Sequence, residues 1–190
     1  PFLFDKAASK ENWIWEHLKN SEDKYIFDAV KKGYSSDWRE RIPAHIACGL
    51  DTSQPNLLER RAQWNTPTPA SFALPTEIWR ETIERLTRCE NILNKIESGE
   101  IRHINDFITY NLDIRQFALD LLEETDSHLF VLHFYHSLQS VTILDPTCGS
   151  GAFLFAAMNI LEPLYEVCIE RMQEFHAKNP KLFVNELGEI

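Results

Sequence analysis

The heptapeptide at positions 145–151 joins one carboxylate to two closely spaced glycines, in the order Asp145-Pro146-Thr147-Cys148-Gly149-Ser150-Gly151. Glycine has no Cβ, so it adopts left-handed backbone conformations and lets a ligand approach the main chain closely. An apolar run precedes the heptapeptide, and a predicted helix follows it. The N-terminus of a helix offers free N–H groups and partial positive charge, which favour an anion. We therefore expect this loop to bind a small charged molecule.

The charges of the loop narrow the class of that ligand. The helix end suits a carboxylate, Asp145 suits an ammonium group, and the two together describe the methionine end of S-adenosylmethionine. The loop lacks the third glycine of G-x-G-x-x-G because position 154 is Leu, and no lysine follows as in a phosphate-binding P-loop. Both absences argue against dinucleotides and nucleoside triphosphates. A strand–turn–helix corner without a ligand stays open as the structural alternative.

The elements around the loop are a strand before it and a long helix after it. Residues 141–144 are apolar and mostly β-branched, which predicts a strand of a parallel sheet covered on both faces. Ligands bind at the carboxyl ends of such strands. Residues 152–178 predict a helix that Pro163 kinks or breaks. Because this helix has only half a sheet to pack on, we expect Phe153, Phe155 and Leu161 to be covered by a symmetry-related copy of the chain or left poorly packed.

The rest of the chain predicts helices and irregular links. The strongest helix is expected over residues 76–99, with Thr76 as N-cap and Gly99 as its end. Its apolar stripe contains Trp79, Ile83, Leu86, Cys89, Leu93 and Ile96, and its solvent face contains Glu77, Glu81, Glu84, Arg85 and Arg88. Further helices are predicted from the capping Ser9 to Leu18 and over 22–32, 56–64, 105–111, 114–124 and 127–139, whereas 34–56 is predicted as mostly loop.

Composition limits the partners of the chain. Its 190 residues have a formal net charge of −10, with 19 Lys and Arg against 29 Asp and Glu. Proteins that grip duplex DNA use clustered basic residues, so this chain alone is expected to bind DNA poorly. Its four cysteines follow no zinc pattern and indicate reduced thiols in a cytoplasmic protein. No uninterrupted apolar run approaches a membrane span, and the start at Pro1 suggests a piece of a larger protein.

Two other groups of residues have side chains that could bind a metal ion or a nucleic acid. His128, His133 and His136 share one predicted helix, and a metal site would need further ligands close by, so we expect no metal site. Trp13, Trp15 and Trp38 could stack on bases, but they lack basic neighbours. Packing in a core or an interface is therefore the favoured interpretation of all three tryptophans.

The heptapeptide with the following Ala152-Phe153-Leu154 resembles motif I of amino-group DNA methyltransferases. It is most similar to the large adenine-specific methylases of type IIG restriction-modification systems and of BREX (phage growth limitation) defence systems. The stretches 72–80, 108–117 and 155–165 look like the same subfamily, so the resemblance extends over about residues 50–175. It implies methyl transfer from S-adenosylmethionine to N6 of adenine in double-stranded DNA, with the base flipped out of the stack.

By this resemblance, Asp145, Gly149 and Gly151 line the methionine end of the cofactor and Phe153 lies beside it. Pro146, Thr147, Cys148 and Ser150 complete the loop, the last three through backbone contacts. The family's catalytic [Asn/Asp]-Pro-Pro-[Tyr/Phe] motif is absent, because no two prolines are adjacent in the sequence. The acidic residue that holds the ribose and the Thr-Pro before motif I are not identifiable either. No catalytic residue is therefore assigned to this chain.

The combined prediction is a mainly α chain that leads into the first β-strand and helix of a class I methyltransferase α/β fold. Its expected parts are an N-terminal helical region (1–64), a linker (65–75), a second helical region (76–139) and the start of the methyltransferase domain (140–190). The parent enzyme is expected to bind double-stranded DNA outside this chain, in a system with restriction or defence subunits and without a membrane. The alternative is a non-catalytic helical module that binds a partner or supports target recognition.

Overall fold

The computed structural model describes residues 13–188, and within them the chain is mainly helical. Ser9, the predicted cap of the first helix, lies outside the described residues. The helices are α1 (Trp13–Asn20), α2 (Asp28–Lys31), α3 (Trp38–Arg41), α4 (Ala44–Ala47), α5 (Leu57–Arg60), a 3₁₀ helix (Ala62–Asn65), α6 (Trp79–Glu97), α7 (Ile104–Tyr110), α8 (Ile114–Glu124), α9 (His128–Gln139), α10 (Ala152–Lys178) and α11 (Val184–Gly188).

These helices belong to two compact units. Unit 1 contains the described residues up to Ser21 and those from Arg102 onward, and unit 2 is Glu22–Ile101. Residues 65–75, predicted as a linker, lie within unit 2, where Phe72 is buried. The loop of interest and α10 both belong to unit 1.

The core of unit 2 is built from three tryptophans and the apolar side chains around them. Trp38, Trp64 and Trp79 pack there with Ile42, Ile46, Phe72, Ile83 and Leu86. The Trp64 indole N–H donates to the carbonyl of Ile46 over 3.0 Å, which satisfies its one donor inside the core. Trp38 is completely buried, so its predicted role in packing is confirmed.

The helix α6 follows the predicted stripe closely but begins later. Its buried residues include Trp79, Ile83, Leu86, Cys89 and Ile96, with Ile92 in place of Leu93. The predicted N-cap Thr76 is wrong: Thr76 has φ +71°, and Ile78 occupies the cap position. The reason is local pairing, since Thr68 N–H donates to Glu77 O and Trp79 N–H donates to Thr66 O, both over 3.1 Å. Residues 77–78 are held extended, so the helix starts after them.

The polar face of α6 also differs from the prediction, because Arg85 and Glu77 are not in solvent. Their side chains are 11% and 14% exposed, and Arg85 Nε donates to Glu77 Oε1 over 2.8 Å. Arg85 also donates to the backbone carbonyls of Phe72 (2.7 Å) and Val30 (3.2 Å) and to that of Lys32. This arginine therefore ties together three segments of unit 2.

Several short elements depart from the predicted boundaries. The helix predicted over 22–32 is reduced to α2, because Glu22 takes φ +49° and residues 21–26 form turns that bury Tyr25 and Ile26. Gly33 ends this region with φ +76°, as predicted for a helix stop. The predicted loop 34–56 contains α3 and α4, and the helix predicted over 56–64 is divided into α5 and the 3₁₀ helix.

In unit 1 the predicted helices form as expected. Asp113 caps α8 by accepting from Gln116 N–H over 3.0 Å, and Ser127 caps α9 by accepting from Phe130 N–H over 3.2 Å. The α8 face buries Phe117, which stacks on Phe107 with ring centroids 4.5 Å apart. Trp13 meets Phe130 edge-on and Trp15 stacks on Phe117, so the predicted packing role of these two tryptophans is confirmed.

The predicted strand at 141–144 is not formed, and the described residues contain no strand at all, only an isolated bridge between Pro67 and Ile78. Ile143 is 50% exposed and Leu144 89% exposed. The physical reason is the lack of a partner, because an extended segment becomes a strand only when a neighbour pairs its N–H and C=O groups. Of the predicted kink or break at Pro163, the break is not formed, since α10 continues through that residue.

Candidate functional site

The loop at 145–151 is shaped by Asp145 and by two glycines. Asp145 Oδ1 accepts from the backbone N–H of Thr147 over 2.9 Å and from its hydroxyl over 3.2 Å. Gly151 N–H then donates to the carbonyl of Cys148 over 2.7 Å. These bonds form two successive tight turns between residues of the loop itself.

The two glycines occupy backbone conformations that favour glycine. Gly149 has φ +50° and Gly151 has φ +77°. A Cβ at Gly149 would have Thr147 O as its nearest neighbour at 3.6 Å, and a Cβ at Gly151 would meet the Phe155 ring at 3.5 Å. Both are ordinary contacts, so the chain itself leaves room for a side chain at each position. The left-handed conformation, rather than crowding, is the local reason for glycine here.

The second carboxylate oxygen of Asp145 is buried and has no hydrogen-bond partner within the described part of the chain. A buried carboxylate oxygen without a donor is unfavourable by about 1–3 kcal/mol. An ammonium group is a donor of suitable charge and would satisfy this atom. Asp145 thus uses one oxygen to shape the loop, and its other oxygen remains an unsatisfied acceptor.

The N-terminus of α10 lies directly after the loop and has no side-chain cap. Its first intrahelical bond runs from Phe155 N–H to Gly151 O over 2.9 Å, and Gly151, at the cap position, has no side chain. The N–H groups of residues 152–154 therefore have no helical acceptor. They supply the donors and the partial positive charge that a ligand carboxylate needs.

The remaining predicted site residues lie on the surface of this loop. Pro146, Thr147, Cys148, Gly149 and Ser150 are exposed, and Gly151 is buried. Phe153, predicted beside the cofactor, is on the first turn of α10 with 78% of its surface exposed. The structure brings Asp145, both glycines and the helix N-terminus into one short segment, while Phe153 projects from its edge.

A recess of about 300 Å³ in unit 2 is lined by Leu58, Arg61, Ala62, Trp64, Asn65, Arg80 and Glu84. Its arginines already have partners: the Arg61 guanidinium lies 4.1 Å from the Trp64 ring centre, and Arg80 donates to Asn65 Oδ1 over 2.7 Å. This recess therefore has a structural explanation in its own packing.

Two of the three histidines of α9 have side-chain contacts within unit 1. His128 lies edge-on to Phe175 and Phe183, and His136 Nε2 is 3.6 Å from Glu186 Oε1. Across residues 13–188, no group of three or more His, Cys, Asp or Glu side chains is placed to hold a metal ion. All four cysteines are free thiols, and burial raises the pKa of Cys89 to about 11 and that of Cys168 to about 12.

The helix α10 is unusual in its exposed apolar surface. Among the described helices, it alone is long and apolar enough to cross a bilayer by length and composition, and 11% of its apolar window is buried. Its C-terminal half packs in unit 1 through Leu164, Cys168 and Met172, all buried. The predicted exposure of Phe153 and Phe155 is confirmed, whereas Leu161 is half-buried.

Comparison with known proteins finds no matching family model, no matching curated protein and no matching solved structure.

Proposed function

We propose that this chain carries the S-adenosylmethionine-binding loop of a DNA adenine-N6 methyltransferase, in a restriction-modification or phage-defence system. The observation that supports this most is the buried, unpartnered Oδ2 of Asp145 beside an uncapped helix N-terminus. The Asp145 carboxylate favours a cation and the N-terminus of α10 favours an anion, and six residues separate the two in the sequence. The α-amino acid end of a ligand carries both an ammonium and a carboxylate group.

The roles of the loop residues follow from this geometry. Asp145 accepts from the ammonium group, and the free N–H groups of residues 152–154 hold the carboxylate. The exposed Gly149 leaves the main chain open to close approach, and Gly151 sets the left-handed turn into α10. When bound, the cofactor supplies an activated methyl group. The sequence has no adjacent prolines, so the groups that bind the flipped adenine come from polypeptide outside these 190 residues.

The acidic character of the chain agrees with a DNA-binding surface in another part of the enzyme. With a net charge of −10 it does not itself neutralise phosphates, so DNA would be held by another part of the enzyme. The second candidate function is a non-catalytic helical module, and the exposed apolar side chains of α10 favour it. The two candidates differ in one respect that can be measured, namely whether S-adenosylmethionine binds.

Two measurements test the proposal. Radiolabelled S-adenosylmethionine is titrated against the 190-residue chain and against the intact gene product that contains it, with S-adenosylhomocysteine as competitor and NAD and ATP as controls. The intact gene product is then incubated with unmethylated DNA, and N6-methyladenine is measured by mass spectrometry. We expect competed binding and N6-methyladenine with the intact gene product. If the intact gene product neither binds the cofactor nor methylates DNA, the methyltransferase proposal is wrong and the non-catalytic helical module takes its place.

A further inference from the structure

The side chain of Thr147 takes part in the turn that holds the Asp145 carboxylate. Asp145 Oδ1 accepts from Thr147 N–H over 2.9 Å and from the Thr147 hydroxyl over 3.2 Å. A carboxylate oxygen has two lone pairs, so these two donors engage both of them. Pro146 lies between the two residues, and its ring fixes φ near −65° and narrows the conformations open to the turn. The resemblance implied backbone contacts alone for Thr147, whereas the structure engages its hydroxyl as well.

The same turn occurs in unit 2 at Asp51 and differs in one respect. Asp51 Oδ1 accepts from Ser53 N–H over 2.9 Å and from the Ser53 hydroxyl over 2.6 Å. The other oxygen, Asp51 Oδ2, accepts from Gln54 Nε2 over 2.7 Å. Asp145 Oδ2 is instead buried and has no donor within the described part of the chain. The turn itself therefore does not explain why an oxygen of Asp145 is unsatisfied.

The difference between the two turns has a cause in the sequence. Counted from the aspartate, Gln54 is the fourth residue of its turn, and Cys148 is the fourth residue of the other. An amide offers two N–H donors at the end of a long side chain, whereas a thiol is short and is a weak donor. With Cys148 at this position, the donor that the Gln54 amide supplies in unit 2 has to come from a bound molecule.

We infer that Thr147 is a positioning residue of the proposed cofactor site, where it fixes the Asp145 carboxylate so that the site selects ligands with a primary ammonium group. The inference rests on the proposed function, because the ligand is the one proposed there. With two donors on Oδ1, the carboxylate is kept from rotating, and the ammonium group meets Oδ2. A charged nitrogen bonds to a carboxylate more strongly than a neutral donor does. Thr147 thus acts on the ligand through Asp145.

Binding of two adenosyl ligands to variants of the intact gene product tests this role. S-adenosylhomocysteine carries the ammonium group, and methylthioadenosine is an adenosyl thioether without the amino acid end. Thr147→Val removes the hydroxyl with little change in size. We expect the Kd for S-adenosylhomocysteine to rise about 5- to 10-fold and the Kd for methylthioadenosine to stay the same, both measured by isothermal titration. Thr147→Ser keeps the hydroxyl and should restore the affinity.

A double-variant cycle and a matched threonine separate positioning from folding. In an Asp145→Asn background, Thr147→Val should not weaken S-adenosylhomocysteine further, because the charge through which Thr147 acts is already removed. Thr109→Val is the matched control, since Thr109 in unit 1 is also exposed and its hydroxyl donates to Asn105 O over 3.1 Å. This control should change neither Kd.

Three results would overturn the inference while the proposed function stands. The first is that Thr147→Val binds S-adenosylhomocysteine as tightly as the unsubstituted protein does. The second is that it weakens both ligands by the same factor, which would mark a purely structural role of Thr147. The third is that its effect is undiminished in the Asp145→Asn background. If the unsubstituted protein binds neither ligand, the proposed function itself is wrong and the inference is wrong with it.

Discussion

Replacing single glycines by alanine separates the folding role of the loop from its proposed binding role. Gly149 has φ +50°, and the nearest atom to an added Cβ is Thr147 O at 3.6 Å. Only the left-handed conformation is therefore penalised, by about 1–2 kcal/mol. Gly33 differs, because its φ is +76° and an added Cβ would lie 2.5 Å from Phe72 Cα. The clash with backbone adds roughly 1–3 kcal/mol to the same conformational penalty.

The expected order of stability is thus Gly188→Ala, then Gly149→Ala, then Gly33→Ala. Gly188 has open space around an added Cβ, so its substitution should change the free energy of unfolding by no more than about 0.5 kcal/mol. The order of the effects on ligand binding differs from the order of the effects on stability. A methyl group at Gly149 occupies the surface that the ligand approaches, so we expect the Kd for S-adenosylmethionine to rise about 10- to 100-fold.

The assay combines urea unfolding of each variant with isothermal titration of S-adenosylmethionine into the corresponding intact gene product. Gly188→Ala serves as the control for both measurements. The reasoning is refuted if Gly149→Ala binds the cofactor as tightly as the unsubstituted protein while keeping its fold. It is also refuted if Gly33→Ala proves as stable as Gly149→Ala, since the backbone clash would then have no cost.

Three further predictions concern the charges and thiols of the chain. Arg85→Met should lower the free energy of unfolding of unit 2 by about 1–3 kcal/mol, because it leaves the half-buried Glu77 carboxylate without its charged donor, with only Leu74 N–H and the Thr82 hydroxyl still donating to it. Arg39→Met, in the more exposed pair with Glu90, should lower it by at most about 1 kcal/mol. The hydrogen bond from Arg85 holds the pKa of Glu77 below its ordinary value of 4.5. The stabilisation from the Arg85–Glu77 pair is therefore present above pH 4.5 and is lost as the pH falls through the lowered pKa. Acid titration followed by circular dichroism checks this. A thiol reagent should modify the exposed Cys48 and Cys148 in the folded protein and reach the buried Cys89 and Cys168 only after denaturation. In the intact gene product, S-adenosylmethionine should slow the reaction at Cys148 alone.

The long helices could be predicted because their information is local and repeated. Ser127 and Asp113 mark helix starts through one side-chain bond each, and the stripe from Trp79 to Ile96 repeats over five turns. The short helices α3 and α4 give no such signal, since each is a single turn. Trp38, Ile42 and Ile46 do follow a spacing of four residues, but Pro43 interrupts the run and conceals it.

The environment of Arg85 shows what spacing along one helix cannot predict. Charged residues at i,i+4 on α6 indicated a solvent face, with Arg85 beside Glu81. The structure instead pairs Arg85 with Glu77, which precedes the helix, and with carbonyls that other segments bring to it. Those carbonyls have no sequence signature, because every residue has one. A charged side chain that satisfies several of them is found only when the fold is known.

The loop at 145–151 was predictable for the opposite reason, since its geometry depends on its own residues. Asp145 bonds to Thr147, and both glycines take positive φ, without help from distant parts of the chain. Whether the segment before the loop forms a strand could not be predicted in this way, because pairing requires a second extended segment, and the described residues provide none. The β-branched pattern at 141–144 thus predicts that the segment can pair as a strand, not that it is paired. In the described part of the chain Leu144 is exposed and the amides of residues 142–144 make no hydrogen bond.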